Sequence, residues 1–156
     1  MPFFADYRTP IGILRASFEN GILCSLVLSD AASACGSISL PPEAAALGEA
    51  LNRYFSGDPE AFDKIDFRPH GTPFQTKVWE ALRAIPYGQV RSYGEIASAI
   101  GQPGAARAVG GACNKNHILL IIPCHRVVAA GGKIGGFAYG TDIKRQLLQL
   151  ESRNRV

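Results

Sequence analysis

The chain has 156 residues, 47% of them hydrophobic and 19% charged, with a net charge of +3. That is enough to bury a core and too apolar for a disordered segment. No apolar run approaches the roughly 20 residues of a membrane helix, since Ile118–Ile122 stops at Pro123, and no basic leader followed by an apolar stretch signals export. Cys24, Cys35, Cys113 and Cys124 contain no C-x-x-C pair. They are too sparse for a disulfide scaffold and wrongly spaced for tetrahedral zinc, which fits a reducing, cytoplasmic setting. Charge is divided unevenly: residues 1–70 hold 5 Lys/Arg and 9 Asp/Glu, residues 71–156 hold 11 and 4. An acidic half joined to a basic half turns the C-terminal part toward a polyanion, with scattered solvating charge as the plainer reading.

The first thirty residues read as an antiparallel meander. Ile11–Phe18 and Ile22–Leu28 are short apolar-rich runs, and Asn20-Gly21 between them is a strong hairpin signal. Ala31–Pro42, rich in Ala, Ser and Gly, reads as a loop. Glu43–Phe55 places Ala46, Leu47, Ala50, Leu51, Tyr54 and Phe55 at helical spacing, and Gly57 ends the run. Phe62–Phe67 reads as a further strand, and Phe67–Thr72 as a crossing into a second unit.

From Pro73 the pattern changes to short helices. Pro73–Ile85 carries Phe74, Val78, Leu82 and Ile85 on one face, and Pro86-Tyr87-Gly88 closes it. Ser92 caps a helix through about Ile100, with Glu95 completing a capping box. After the turn Gly101–Gly104 comes a second helix, about Ala105–Cys113, so the pair forms a helix-turn-helix pattern. A glycine-rich hairpin is expected at Gly131–Gly136 and a final helix at Thr141–Glu151. The fold class is α+β: a small antiparallel-sheet subdomain over residues 1–70, then a mainly helical, winged helix-turn-helix subdomain over 71–156.

The chemistry concentrates at Pro123-Cys124-His125-Arg126-Val127. A nucleophilic cysteine needs access and a setting that favours its thiolate. Cys124 follows a proline that ends an apolar run, which turns the chain and can expose the side chain at a strand end. His125 and Arg126 bring positive charge nearby. Adjacent residues do not automatically face one another, and a buried structural cysteine is the competing reading.

This pentapeptide resembles the signature of the O6-alkylguanine-DNA alkyltransferases, the methylated-DNA–protein-cysteine methyltransferases. The resemblance extends to Ser92-Tyr93-Gly94-Glu95, to the run Ala105-Ala106-Arg107-Ala108-Val109-Gly110-Gly111-Ala112, to Asn116, and to Lys144 with Leu147-Leu148-x-x-Glu151. These motifs span most of residues 73–151. The resemblance implies that Cys124 accepts the alkyl group, irreversibly and once per molecule. Glu151, His125 and a water would then remove the thiol proton, while Asn116 bridges the helix-turn-helix to the active-site segment.

It further implies a monomer that acts on double-stranded DNA carrying O6-alkylguanine, with O4-alkylthymine as a further substrate. The base would be flipped through the minor groove. Tyr93 would bond the flipped guanine, Arg107 would fill the gap it leaves, and the carbonyls of Cys124 and Val127 would accept from its amino group. The small residues of the second helix, among them Ala106, Gly110 and Gly111, let a backbone approach DNA closely while supplying few groups that read bases. Tight helix packing is the alternative use of such residues. No cofactor, metal or membrane partner is expected, and no G-x-G-x-x-G follows a strand.

Two departures stand out. His117 and Leu119 replace prolines that the family has after its asparagine. Phe137-Ala138-Tyr139-Gly140 replaces a Tyr-Ser-Gly-Gly segment, so Phe137 and Ala138 would wall the pocket without a serine hydroxyl. The competing classes are an alkyltransferase-like lesion sensor, whose members replace the reactive cysteine and against which Cys124 argues; a helix-turn-helix regulator, for which the second helix lacks base-reading side chains; and a cysteine hydrolase, which leaves the helix-turn-helix unexplained.

Overall fold

A computed structural model describes residues 2–29 and 40–154. The chain divides into two compact units, Met1–Pro69 and His70–Val156. Most of the expected Ala31–Pro42 loop, together with Cys35, lies outside the described residues.

In the first unit Phe3–Thr9 (β1), Gly12–Glu19 (β2) and Ile22–Ser29 (β3) form an antiparallel meander in that order. The β2–β3 turn is made by Asn20 (φ 52°) and Gly21 (φ 79°), the left-handed pair that a two-residue hairpin requires. β1 is a strand that the hydrophobic runs alone did not single out. Leu14, Ala16 and Phe18 alternate inward along β2. Pro42–Phe55 (α1) buries Ala44, Leu47, Ala50, Leu51 and Tyr54, and the Tyr7 hydroxyl donates to the Ala44 carbonyl at 2.7 Å.

Phe62–Phe67 does not form the expected strand. The chain turns through this region while Phe62 stacks on Tyr54, centroids 5.4 Å apart. Only Phe67 bridges to Leu23. The Phe62–Tyr54 stack takes the place of an extended strand here.

In the second unit Pro73–Arg83 (α2) starts at a Thr72/Gln75 capping box. Arg91–Ser92 (β4) leads into Tyr93–Ala99 (α3), whose Ser92/Glu95 capping box is formed as the spacing suggested. Ala106–Asn114 (α4) and Thr141–Arg153 (α5) complete the helices. Trp79 is buried on α2, and its indole N–H donates to the Ala112 carbonyl at 3.0 Å, tying α2 to α4. Val127–Val128 (β5) pairs in parallel with β4, Arg91 opposite Val127 and Ser92 opposite Val128. This two-residue ladder sets the start of α3 beside the Cys124 segment.

The expected hairpin at Gly131–Gly136 is not formed. Gly131 (φ 79°) and Gly132 (φ 81°) take left-handed conformations in succession, and the Ala129 N–H closes a tight loop onto the Lys133 carbonyl at 2.8 Å. Without alternating side chains to pack, the segment makes a compact loop and no strand pair.

Candidate active site

The run Ile118–Ile122 is buried throughout, yet it is a sequence of turns and not a strand. The cause is Asn116. Its Oδ1 accepts the Ile118 N–H at 2.9 Å and its Nδ2 donates to the Ile122 carbonyl at 2.8 Å, so one buried side chain satisfies two backbone groups that a strand would have paired elsewhere. Leu120 is driven to φ 71°, a strained conformation for a branched residue.

Cys124 opens the 3-10 turn Cys124–Arg126 that follows and is only 6% exposed. The expectation of a cysteine displayed at a strand end is therefore corrected on both points. Asn116 Nδ2 also donates to Cys124 Sγ at 3.2 Å.

Burial pushes the Cys124 thiol up, while the Asn116 hydrogen bond and the Lys144 charge pull the other way without prevailing. The sulfur is held as a thiol at rest and needs a base. The second buried thiol, Cys113, is pushed up to about 12, first by burial and then by the Cys124 charge.

His125 is wholly buried, and its Nε2 lies 2.6 Å from Glu151 Oε2. Arg126 Nε donates to Glu151 Oε1 at 2.8 Å, and a second guanidinium nitrogen donates to the Ile85 carbonyl at 2.7 Å. Glu151, on the last turns of α5, is 1% exposed. Burial opposes its ionisation, but the His125 charge, the hydrogen bonds from His125 and Arg126, and the Arg126 charge hold the carboxyl below the ordinary carboxylate range. An ionised carboxylate only accepts, so Nε2 carries a proton. Nδ1 is buried and has no hydrogen-bond partner among the described residues.

Lys144 on α5 is fully buried. Its ammonium donates to the Val127 carbonyl at 2.5 Å and the Gly136 carbonyl at 3.1 Å, and stands 5.9 Å from the centre of the Tyr93 ring. Burial lowers its pKa, and the Cys124 charge opposes that. Tyr93 is half-buried, and its phenol is pushed up by burial and by the charges of Cys113 and Cys124.

Beside it lies an open groove of about 680 Å³ lined by Tyr93, Ala106, Arg107, Gly110 and Gly111 among others. Arg107 is exposed there and makes no ion pair among the described residues. Ala112 of the same helix is buried, and its carbonyl accepts from the Trp79 indole. A side chain added at Gly111 would meet nothing within 4 Å, and one at Gly110 would make ordinary contact with Tyr93 at 3.8 Å.

The structure thus makes two hydrogen-bonded pairs, Cys124 with Asn116 and His125 with Glu151, and brings Tyr93, Ala106, Arg107, Gly110 and Gly111 onto one groove. Val127, Phe137 and Ala138 do not line that groove. Val127 is buried. Phe137 is half-buried and stands edge-on to Tyr139 with centroids 5.8 Å apart, and Ala138 is exposed. Among the described residues no three His, Cys, Asp or Glu side chains cluster as a metal site would, and no helix is long and apolar enough to cross a membrane.

The sequence model of the 6-O-methylguanine DNA methyltransferase, DNA binding domain, matches residues 73–153. The chain is 46% identical over 156 residues to the methylated-DNA–protein-cysteine methyltransferase of Mycolicibacterium paratuberculosis, covering 96% of this chain and 93% of that one. The chain belongs to this family. A crystal structure of Mycobacterium tuberculosis OGT in complex with DNA superposes with a TM-score of 0.86 at 41% identity, over 97% of this chain and 93% of that one. The methyltransferase of Methanosarcina acetivorans is 55% identical over 101 residues, 65% of this chain and 64% of that one.

Within this family's frame, three contributors escaped the site expected from sequence. Arg126, noted only as nearby charge, grips Glu151. Lys144, noted only in a motif, caps the Val127 carbonyl. Ile85 supplies the carbonyl that anchors Arg126. A buried position for two cations was the missing signal, and it lies in tertiary packing.

Proposed function

We propose that this protein repairs double-stranded DNA by moving the alkyl group from guanine O6 to Cys124 Sγ, once per molecule. The observation that carries this reading is the placement of His125, with Nε2 against Glu151 and Nδ1 buried and without a hydrogen-bond partner among the described residues. One water bonded to that nitrogen and to Sγ would let the imidazole take the thiol proton, with Glu151 stabilising the imidazolium. Asn116 holds the sulfur in place and supports its negative charge.

The Sγ–carbon bond then forms as the carbon–O6 bond breaks. Guanine leaves as its anion and takes a proton from solvent. A thioether is stable to the side chains described at this site, so the protein would be spent. The chemistry calls for no cofactor.

The same site would accept O4 of alkylthymine, whose alkyl group sits on an equivalent exocyclic oxygen. O6 lies inside the stack, so the base must be flipped out to reach a buried sulfur. The α4 groove suits this. Nothing inside the protein demands a glycine at Gly111, and the small surface of Ala106, Gly110 and Gly111 leaves room for a minor groove. Arg107 would enter the stack in place of the flipped base, and Tyr93 would bond that base. The carbonyls of Cys124 and Val127 would accept its amino group, the latter while holding Lys144. Phe137 and Ala138 would wall the alkyl end.

In this reading residues 71–156 carry DNA binding and transfer, residues 1–70 support them, and a monomer acts in the cytoplasm. A titration of the protein with duplex carrying radiolabelled O6-methylguanine tests it. Label in protein should plateau at one equivalent per molecule and stay there with time. Release of label into solution, or a count that keeps rising, would overturn the proposal.

A further inference from the structure

His117 follows directly on Asn116, and its ring is held on several sides. Nε2 accepts the His70 backbone N–H at 3.1 Å, and Nδ1 lies 3.4 Å from the Lys115 carbonyl oxygen. The ring stands edge-on to Trp79 with centroids 5.5 Å apart, and near-parallel to His70 at 6.4 Å. A backbone amide can only donate, so His117 Nε2 must carry a lone pair and the proton must sit on Nδ1, facing Lys115. One neutral tautomer satisfies both nitrogens. The wall behind it is fixed, because Trp79 is buried and bonded to the Ala112 carbonyl.

The neighbouring residue gives this clamp its consequence. Asn116 fastens the inner side of the same turn, bonding Ile118, Ile122 and Cys124 Sγ. Two consecutive side chains thus fix the turn, one from the core and one from outside it.

We propose that His117 is a positioning residue for Cys124: as a neutral imidazole it holds the Asn116 turn in working geometry, and protonation loosens it. A proton on Nε2 would face the His70 N–H, donor against donor, and that hydrogen bond would be lost. The groups meeting the ring are the His70 amide and imidazole, the Lys115 carbonyl and the Trp79 indole; among the described residues no carboxylate pairs with it to hold an imidazolium in place.

The inference rests on Cys124 as the alkyl acceptor, and its test separates the two. The chain has three histidines, His70, His117 and His125, so their ring signals can be assigned by substitution. In the protein without DNA, a nitrogen-15 NMR titration should show His117 protonated on Nδ1 at pH 8. The Asn116 side-chain NH2 signal should shift on acidification with the midpoint of the His117 ring.

In single-turnover methyl transfer, His117→Ala should be slower at pH 8 by about 2- to 5-fold, the scale of one exposed hydrogen bond. His117→Gln, which keeps an acceptor that does not titrate, should hold its rate at pH 8 and lose the part of the acid limb that shares the His117 midpoint. An Asn116 signal blind to His117 titration, or a His117→Gln acid limb identical to wild type, would overturn the proposal. Wild-type protein that never methylates Cys124 would instead refute the reading it rests on, and the NMR titration would still decide the role of His117.

Discussion

His125 Nε2 and Glu151 Oε2 lie 2.6 Å apart at the end of a 26-residue separation, both side chains out of reach of solvent. The pair sets Nε2 of the imidazole against the carboxylate, and Arg126 commits the carboxylate to staying charged. Glu151→Gln removes the charge but keeps the shape. It leaves Arg126 buried without its counter-ion, which should destabilise the fold by about 3–5 kcal/mol in urea unfolding. Methyl transfer should fall by on the order of 100-fold, the range of a lost base.

The same carboxylate sets an acid limit on stability. Its folded pKa is depressed, so the unfolded chain takes up the proton first as pH falls. The stability it confers is complete above the unfolded value of about 4.3 and drains away as pH drops through and below it. Unfolding free energy measured against pH should lose this limb in Glu151→Gln.

Asn116 and the two buried thiols give a chemical prediction. Burial keeps Cys124 protonated at neutral pH, so its alkylation by iodoacetamide without DNA should be slow and should accelerate into the alkaline range. Asn116→Ala removes the Nδ2 donor to the sulfur and pushes the thiol higher. That reaction should slow further, and stability should fall by about 1–3 kcal/mol for the two stranded backbone groups. Cys113, at about 12, should stay unmodified, and Cys113→Ala should leave the transfer rate within about twofold.

Substitution of Arg107 tests base flipping apart from chemistry. Arg107→Ala should slow repair of duplex DNA on the order of tenfold by removing support for the unstacked state, whose cost is a few kcal/mol. Transfer from a single-stranded oligonucleotide, where the base is already accessible, should change far less. Equal loss on both substrates would place Arg107 in phosphate binding instead.

Much of this architecture is written in local chemistry. The Asn20-Gly21 turn, the Ser92/Glu95 capping box and the 3.6-residue periods of α1 and α2 each act within a few residues, so the sequence displays them directly. Phe62–Phe67 and Ile118–Ile122 have strand composition, but a stacked Phe62 in one case and the Asn116 side chain in the other redirect the backbone, and neither effect is local. Gly131–Gly136 has turn residues without the alternating partners a hairpin needs. The candidate site could be named from its residues, while its geometry could not. The pentapeptide placed His125 beside Cys124, whereas the fold turns His125 to Glu151 and gives the sulfur to Asn116. Arg126 and Lys144 are both buried where backbone carbonyls and a carboxylate receive them, a placement that tertiary packing decides.

The central claim is that the sulfur of Cys124 receives the alkyl group. The most direct measurement is peptide mapping by mass spectrometry after incubation with duplex DNA containing one O6-methylguanine. A gain of one methyl on the Cys124 peptide, and on no peptide carrying Cys24, Cys35 or Cys113, is the predicted result. An unmodified Cys124 peptide from protein that has bound the lesion, or a methyl on another cysteine, would contradict it.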